Sequence, residues 1–298
     1  MKVLILGGTG VIGRQIVSTL SSSGLDVTAI SRGFISKAEN NLKTKFTTMD
    51  LLDTGDSELL SLVSEYNFIV NAAGVIKQRI SINDFSTHLE AVKLNSILPI
   101  RLASLSQGTS NKIIHLTTDC VFDGSIGDYD ENHSHSALDI YGKSKSLGEV
   151  HTDNVLNLRC SVIGPDTTSL SLTGWISHQD LNSKISGYLN HYWNGITTYS
   201  LSKVVMGIIQ SGFWSSGTHH LIPSNSWSKF QLVQELIQVC DRADINLERG
   251  FAVEKINRVL KTVNPERNSV LWQLGGYSDW PSLDVLFQEP TFRASFKF

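Results

Sequence analysis

The chain has 298 residues, 41% of them apolar and only 18% charged, a balance that excludes a disordered polypeptide. Its 25 basic and 28 acidic residues are spread along the sequence for a net charge of −3, so no basic stripe exists to meet nucleic-acid phosphates. No apolar run reaches the length of a signal-peptide core or a membrane span, and Cys120, Cys160 and Cys240 suit neither a disulfide framework nor a zinc set, so a cytoplasmic chain with reduced thiols is expected.

Over the first 160 residues, short apolar runs alternate with helical patterns. Lys2–Leu6, Asp26–Ile30, Phe46–Met49, Phe68–Asn71, Ile113–Leu116 and Val155–Leu158 read as buried strands. Val11–Ser23, stopped at Gly24, then Asp56–Glu65 and a long Asp84–Gln107 stretch carry apolar residues at helical spacing. This alternation predicts an α/β fold with a doubly wound parallel sheet over residues 1–165. Beyond Gly164-Pro165 serine, asparagine and glycine increase, and residues 166–298 read as a smaller, mixed substrate-binding region. Parts of about 196–225 are expected to pack back on the first domain. Strands should be sparse until His220–Ile222, with helices at about Lys229–Cys240, capped by Ser228, and around Val253–Thr262.

Between the first strand and first helix lies Gly7-Gly8-Thr9-Gly10-Val11-Ile12-Gly13. Glycines here let the chain turn sharply and bring bare backbone against a pyrophosphate, whose charge meets the N–H groups and positive end of the helix. In this position the pattern predicts a Rossmann-type dinucleotide site. An acidic residue closing the second strand would favour NAD, but Ser31-Arg32 stands there. Arginine clasps a phosphate with paired hydrogen bonds, so NADPH is favoured over NADH.

Tyr141-Gly142-Lys143-Ser144-Lys145 puts a phenol and an ammonium four residues apart, on one face of a helix. Bringing a tyrosine from its ordinary pKa of about 10 to neutrality takes about 4 kcal/mol of phenolate stabilisation, which a neighbouring cation supplies in part. Thr118 follows the fifth strand, at the carboxyl edge where ligands of open parallel sheets bind.

Together with Asp50-Leu51, Asn71-Ala72-Ala73-Gly74 and the run Thr117-Thr118-Asp119-Cys120-Val121-Phe122-Asp123-Gly124, these motifs resemble the extended short-chain dehydrogenase/reductase family, in particular its dTDP-4-dehydrorhamnose reductase-like branch. The resemblance implies that Tyr141 gives a proton to a ketone oxygen, that Lys145 holds the nicotinamide ribose and lowers the tyrosine pKa, and that Thr118 hydrogen-bonds the same oxygen. It further implies that Asp50 and Leu51 flank the adenine, that Ala72, Ala73 and Gly74 line the dinucleotide beside Gly7, Gly10, Val11, Ile12 and Gly13, and that Asn95 supports the backbone of the site. The sequence departs from the family in lacking a proline shortly before Tyr141, and its end beyond Thr262 matches only vaguely.

In the family's dehydratases glutamate follows the Thr-Asp pair, whereas Cys120 stands there in this chain. A thiol is a poor substitute for that acid, so ketone reduction is expected. Lys77 and Gln78 in the loop after the fourth strand, Asp119 and Cys120, and Trp193 and Asn194 are the expected substrate contacts, with Lys77 on a diphosphate or keto oxygen and Trp193 or Tyr192 stacked on a sugar or base. The substrate implied is a 4-keto-6-deoxy sugar nucleotide, dTDP- or UDP-linked. An epimerase of the same fold and a non-catalytic NADP-binding regulatory subunit are the alternatives, and a homodimer is a family-level expectation. His133 and His135, near Asp128, Asp130 and Glu131, read as a solvated loop and not as a metal site.

Overall fold

The computed structural model describes residues 1–33 and 44–296. Six strands follow in chain order: β1 (Lys2–Leu6), β2 (Asp26–Ser31), β3 (Lys45–Thr48), β4 (Phe68–Asn71), β5 (Lys112–Thr117) and β6 (Val155–Arg159). With the later strand Gly217–His220 they form one parallel sheet in the order Gly217–His220, β6, β5, β4, β1, β2, β3. The order reverses between β1 and β4, which opens the crevice where a parallel sheet takes its ligand.

Both faces of the sheet are covered, so its strands are apolar at successive positions. Val3 and Ile5 of β1 join a core with Ile16, Val17 and Leu20 of the first helix, Val11–Ser22, while Leu4 and Leu6 enter the opposite core with Leu59, Leu98 and Leu102. The first of these cores also takes in Leu201, Val204 and Ile208 from the helix Thr198–Ser211, which lies against the first helix. Thr19 and Ser202 share a 2.8 Å hydrogen bond across that contact. Residues well past position 166 thus complete the sheet and one of its layers.

Three expectations need correction. The long Asp84–Gln107 helix is Phe85–Val92 and Leu98–Leu105 joined by a π-helical turn, Lys93–Ile97. Pro99 has no N–H to give the carbonyl of Asn95 four residues back, and the helix widens there. No helix forms at Val253–Thr262: that segment is extended, with Ile256–Asn257 pairing alongside His191–Trp193, and the helix comes later, at Pro265–Leu274. The region after residue 166 also holds more strands than expected, such as Lys184–Tyr188 and Asn246–Gly250, most of them too short to carry a period-two signature. The helix Lys229–Val239 does begin at Ser228, within a reciprocal cap formed with Gln231.

Candidate active site

The turn after β1 is built for close approach. Gly7 sits at φ +79°, and a Cβ there would fall 2.8 Å from the Cα and N of Ala73, so this turn and the one after β4 touch backbone to backbone. A Cβ on Gly13 would lie 2.1 Å from the Gly7 carbonyl oxygen, and one on Gly8 2.7 Å from Ala29 Cβ. Gly10 donates to the Gly7 carbonyl at 3.0 Å and provides no side-chain cap for the helix beginning at Val11 and Ile12. The first-turn N–H groups stay available to an anion, and these residues fit a dinucleotide pyrophosphate.

Around this cradle, Ser31 is buried and donates to the Gly33 carbonyl at 3.1 Å. Arg32, half-exposed at the end of β2, pairs with Glu90. Asp50 is exposed and accepts from the Leu52 N–H at 3.0 Å, whereas Leu51 belongs to the core. Ala72, Ala73 and Gly74 run from the carboxyl end of β4.

Thr118 caps the short turn Asp119–Val121, its Oγ1 accepting from the Cys120 N–H at 3.2 Å and donating to Asp119 Oδ1 at 3.1 Å. Asp139 caps the helix Ile140–Leu147 by accepting from the Gly142 N–H at 2.8 Å. A Cβ on Gly142 would sit 2.3 Å from the Cys120 carbonyl oxygen, so glycine lets this helix press against the Thr118 turn. Tyr141 there stands against the Thr118 turn, and one turn later the Lys145 ammonium donates to the Leu116 carbonyl at 3.4 Å. The three expected groups therefore converge.

Asn95 fixes their surroundings. Fully buried, it accepts from the Val75 N–H at 2.9 Å and donates to the Val75 carbonyl at 3.0 Å and to Ser144 Oγ at 3.1 Å. It ties the loop after β4 to the Tyr141 helix.

Burial dominates the electrostatics. It pushes the Tyr141 phenol well above its ordinary pKa, with Cys120 adding to the effect and Thr118 opposing it. A phenol drawn toward neutrality by Lys145 is not what this geometry gives: Tyr141 is held as a neutral O–H donor. Lys145 is lowered to about 8 by burial, with Glu149 opposing. The Cys120 thiol is pushed up to about 12 by burial and by Asp119, which leaves it uncharged and unfit as a base at neutral pH. Asp119 is raised by burial against the pull of Arg258.

The outer residues divide in two. Lys77 forms a 2.8 Å ion pair with Asp139, bracing the cap of the Tyr141 helix, and Gln78 is exposed beside it. Trp193 donates from Nε1 to Ser161 Oγ at 2.8 Å and packs edge-on to Phe287, while Tyr192 keeps an exposed ring. Asn194 is buried and has both ends of its amide on Leu260, accepting from its N–H at 2.9 Å and donating to its carbonyl at 2.7 Å. That makes it a clamp between chain segments.

Several residues escaped the sequence reading. Glu149 and Arg159 form a buried ion pair beneath the site, with Thr117 donating to Glu149 at 2.7 Å. The position of Glu149, four residues after Lys145, was the available signal. His135 occupies an exposed position but turns its ring onto Ser146 and Arg159, so the ring is tied into the structure and not free in solvent. Lys229 and Arg258, separated from Asp119 by more than a hundred residues, meet it only through the fold.

In comparisons with known proteins, residues 1–271 match the family described as RmlD substrate binding domain. Methionine adenosyltransferase 2 subunit beta of Xenopus laevis is 25% identical over 174 residues, 57% of this chain and 49% of that protein. dTDP-4-dehydrorhamnose reductase of Streptomyces griseus is 27% identical over 177 residues, 58% of this chain and 49% of the relative. The probable low-salt glycan biosynthesis reductase Agl14 of Haloferax volcanii is 28% identical over 153 residues, 50% and 48% of the two chains. The chain thus spans about half the length of the curated relatives it matches. Among solved structures, a hypothetical dTDP-4-dehydrorhamnose reductase of Sulfolobus tokodaii superposes with a TM-score of 0.74 at 19% identity, covering 96% of this chain and 98% of that one. A UDP-glucuronic acid 4-epimerase of Bacillus cereus gives 0.76 at 18%, covering 100% and 99%. These two likenesses are of fold. With nine-tenths of its length matched and the Thr118, Tyr141 and Lys145 group assembled at the carboxyl edge of the sheet, the chain belongs to the RmlD substrate-binding family of extended short-chain dehydrogenase/reductases.

Proposed function

We propose that this protein is an NADPH-dependent reductase of a 4-keto-6-deoxy sugar nucleotide. The observation that carries the reading is the convergence of Thr118, Tyr141 and Lys145 beside a glycine cradle, with an uncharged thiol at Cys120 where elimination of water would need a base. The named reductases among the relatives support it, as does the NADP complex of the dTDP-4-dehydrorhamnose reductase of Bacillus anthracis, whose fold is shared at a TM-score of 0.68 and 19% identity.

In this reading Gly7, Gly10 and Gly13 take the pyrophosphate, Arg32 faces the phosphate that marks NADPH, and Lys145 takes the nicotinamide ribose. Held by these residues, NADPH would be the source of the hydride that the carbonyl carbon takes up. Tyr141 gives its proton to the carbonyl oxygen as negative charge develops there, so the ketone becomes a secondary alcohol. Thr118, its hydroxyl turned from Asp119 to the same oxygen, adds a second donor. Lys145 stabilises the phenolate that remains. Asn95 and the Lys77–Asp139 pair keep the two walls of the site in register.

The test is NADPH oxidation with dTDP- and UDP-linked 4-keto-6-deoxy sugars, run in parallel with NADH. We expect turnover, preferentially with NADPH, and a fall in kcat of roughly 10²- to 10⁴-fold in Tyr141→Phe with cofactor affinity retained. Absence of turnover on every such sugar overturns the reading. It would favour a non-catalytic subunit, the reading to which the 25% identity with methionine adenosyltransferase 2 subunit beta gives its support.

A further inference from the structure

Lys229 breaks three local rules. It opens the helix Lys229–Val239, where a cation opposes the positive end of the helix dipole; it is half-buried; and among the described residues its ammonium has no hydrogen bond or ion pair. Violations of this kind concentrate at functional sites.

Its place is firmly set. Ser228 and Gln231 lock the helix start, with the Ser228 N–H donating to Gln231 Oε1 at 2.9 Å. Trp227 and Ser228 pair antiparallel with Trp193 and Tyr192, and Tyr192 pairs in turn with Asn257. Arg258, next along, donates to the Phe122 carbonyl at 2.9 Å and to the Asp123 carbonyl at 3.2 Å, so these segments are bound to the turn that carries Asp119 and Cys120. Through these pairings Lys229 comes near Asp119 and Cys120, whose turn adjoins Thr118 and the Tyr141 helix. Burial lowers Lys229 to about 8 and Asp119 and Cys120 act against that, so the side chain is a cation at neutral pH.

We propose that Lys229 is a substrate-positioning residue whose ammonium, held beside the Asp119–Cys120 turn, donates to an oxygen substituent of the hexose ring next to the reacting carbonyl. The inference rests on the sugar-nucleotide reading of the site and narrows it: the ligand is a hexose bearing a hydroxyl or acyl oxygen at the carbon beside the ketone. A diphosphate, further from the reacting carbon, is not its partner.

The experiment compares wild type, Lys229→Met and Lys229→Arg for KM, kcat, NADPH affinity and melting temperature. The Met variant should raise KM for the keto sugar nucleotide by tenfold or more with NADPH affinity and melting unchanged, and Arg should recover most of the loss. Wild-type KM should rise above pH 8 more steeply than that of the Met variant, in which Lys145 alone of the two lysines still titrates in that range. Unchanged KM in the Met variant overturns the proposal while leaving the reductase reading intact. Equal losses of substrate and cofactor affinity also overturn it, as damage to the fold. If the Met protein does not fold, Lys229→Gln replaces it. If wild type reduces no keto sugar, the reductase reading fails separately, and calorimetric binding of UDP-N-acetylglucosamine and dTDP-glucose to the same variants decides the role of Lys229. Equal affinities, or none in wild type, overturn it.

Discussion

At Gly74 a single methyl group would reach the chemistry. A Cβ there would stand 2.8 Å from Asn95 Oδ1 and 3.1 Å from Lys145 Nζ, so the residue that clamps the loop and the residue assigned to the ribose would both have to move. Gly74 is exposed, three residues past β4, but the Asn95 amide it would press on is fully buried and holds three hydrogen bonds. Gly74→Ala should therefore weaken NADPH binding about tenfold or more and lower the melting temperature by several degrees, as fluorescence titration and thermal denaturation would measure. An unchanged affinity would mean that Lys145 has room to spare. The glycine turn, Thr118 and the Tyr141–Lys145 pair were legible because each is a local pattern with a local cause. Lys229 was not, since nothing within its own helix distinguishes it from any lysine at a helix start.

Among the elements, the interrupted helix over residues 85–105 matters most to the site. In an unbroken α-helix Asn95 and Ser96 would point about 100° apart. The widened turn lets both reach the Tyr141 helix, Asn95 through Ser144 Oγ and Ser96 Oγ through the Ser144 carbonyl at 2.7 Å. Gly148 closes the contact: a Cβ there would lie 1.9 Å from the Asn95 carbonyl oxygen, the one released by Pro99. Gly148→Ala should cost about 1–3 kcal/mol by overpacking, visible in denaturant unfolding, and reduce activity as the Tyr141 helix is displaced. A stability equal to wild type would show that the turn yields without strain. Pro99 was the visible signal for the interruption, and apolar spacing on both sides hid it. The reverse happened at Val253–Thr262, where Val253, Ile256 and Leu260 stand at helical spacing. There Val253 is fully exposed and Leu260 buried, and the backbone pairs with the 122–129 loop through Asn257 and Tyr129. Hydrogen bonds to a distant segment outweighed a local pattern.

Across the whole molecule, buried histidines set the response to acid. Burial lowers His115 to about 3, with Lys145 adding to the effect, and lowers His220 to about 4, with Arg159 adding. An unfolded chain takes up these protons near pH 6.5, so from there down to about pH 4 it binds more protons than the native state, and stability falls as pH falls. Above pH 6.5 this contribution is flat. The melting temperature should be several degrees lower at pH 5 than at pH 7, and less so in His115→Gln; equal melting at the two pH values would show that both rings are protonated without cost. The parallel sheet and its covering layers were readable from alternating apolar runs, whereas the short strands after residue 166 were not, because their partners are distant in sequence.

The strand Gly217–His220 and the helix Thr198–Ser211 have a consequence for synthesis. When residue 165 leaves the ribosome, β6 is still an open edge and the outer face of the first helix, where Thr19 meets Ser202, is bare. The sheet and its helical layer must wait for residues 198–220 to be complete. Order of manufacture and order of assembly therefore differ in this chain, and any nascent fragment cut short in that interval presents an unpaired strand to its neighbours.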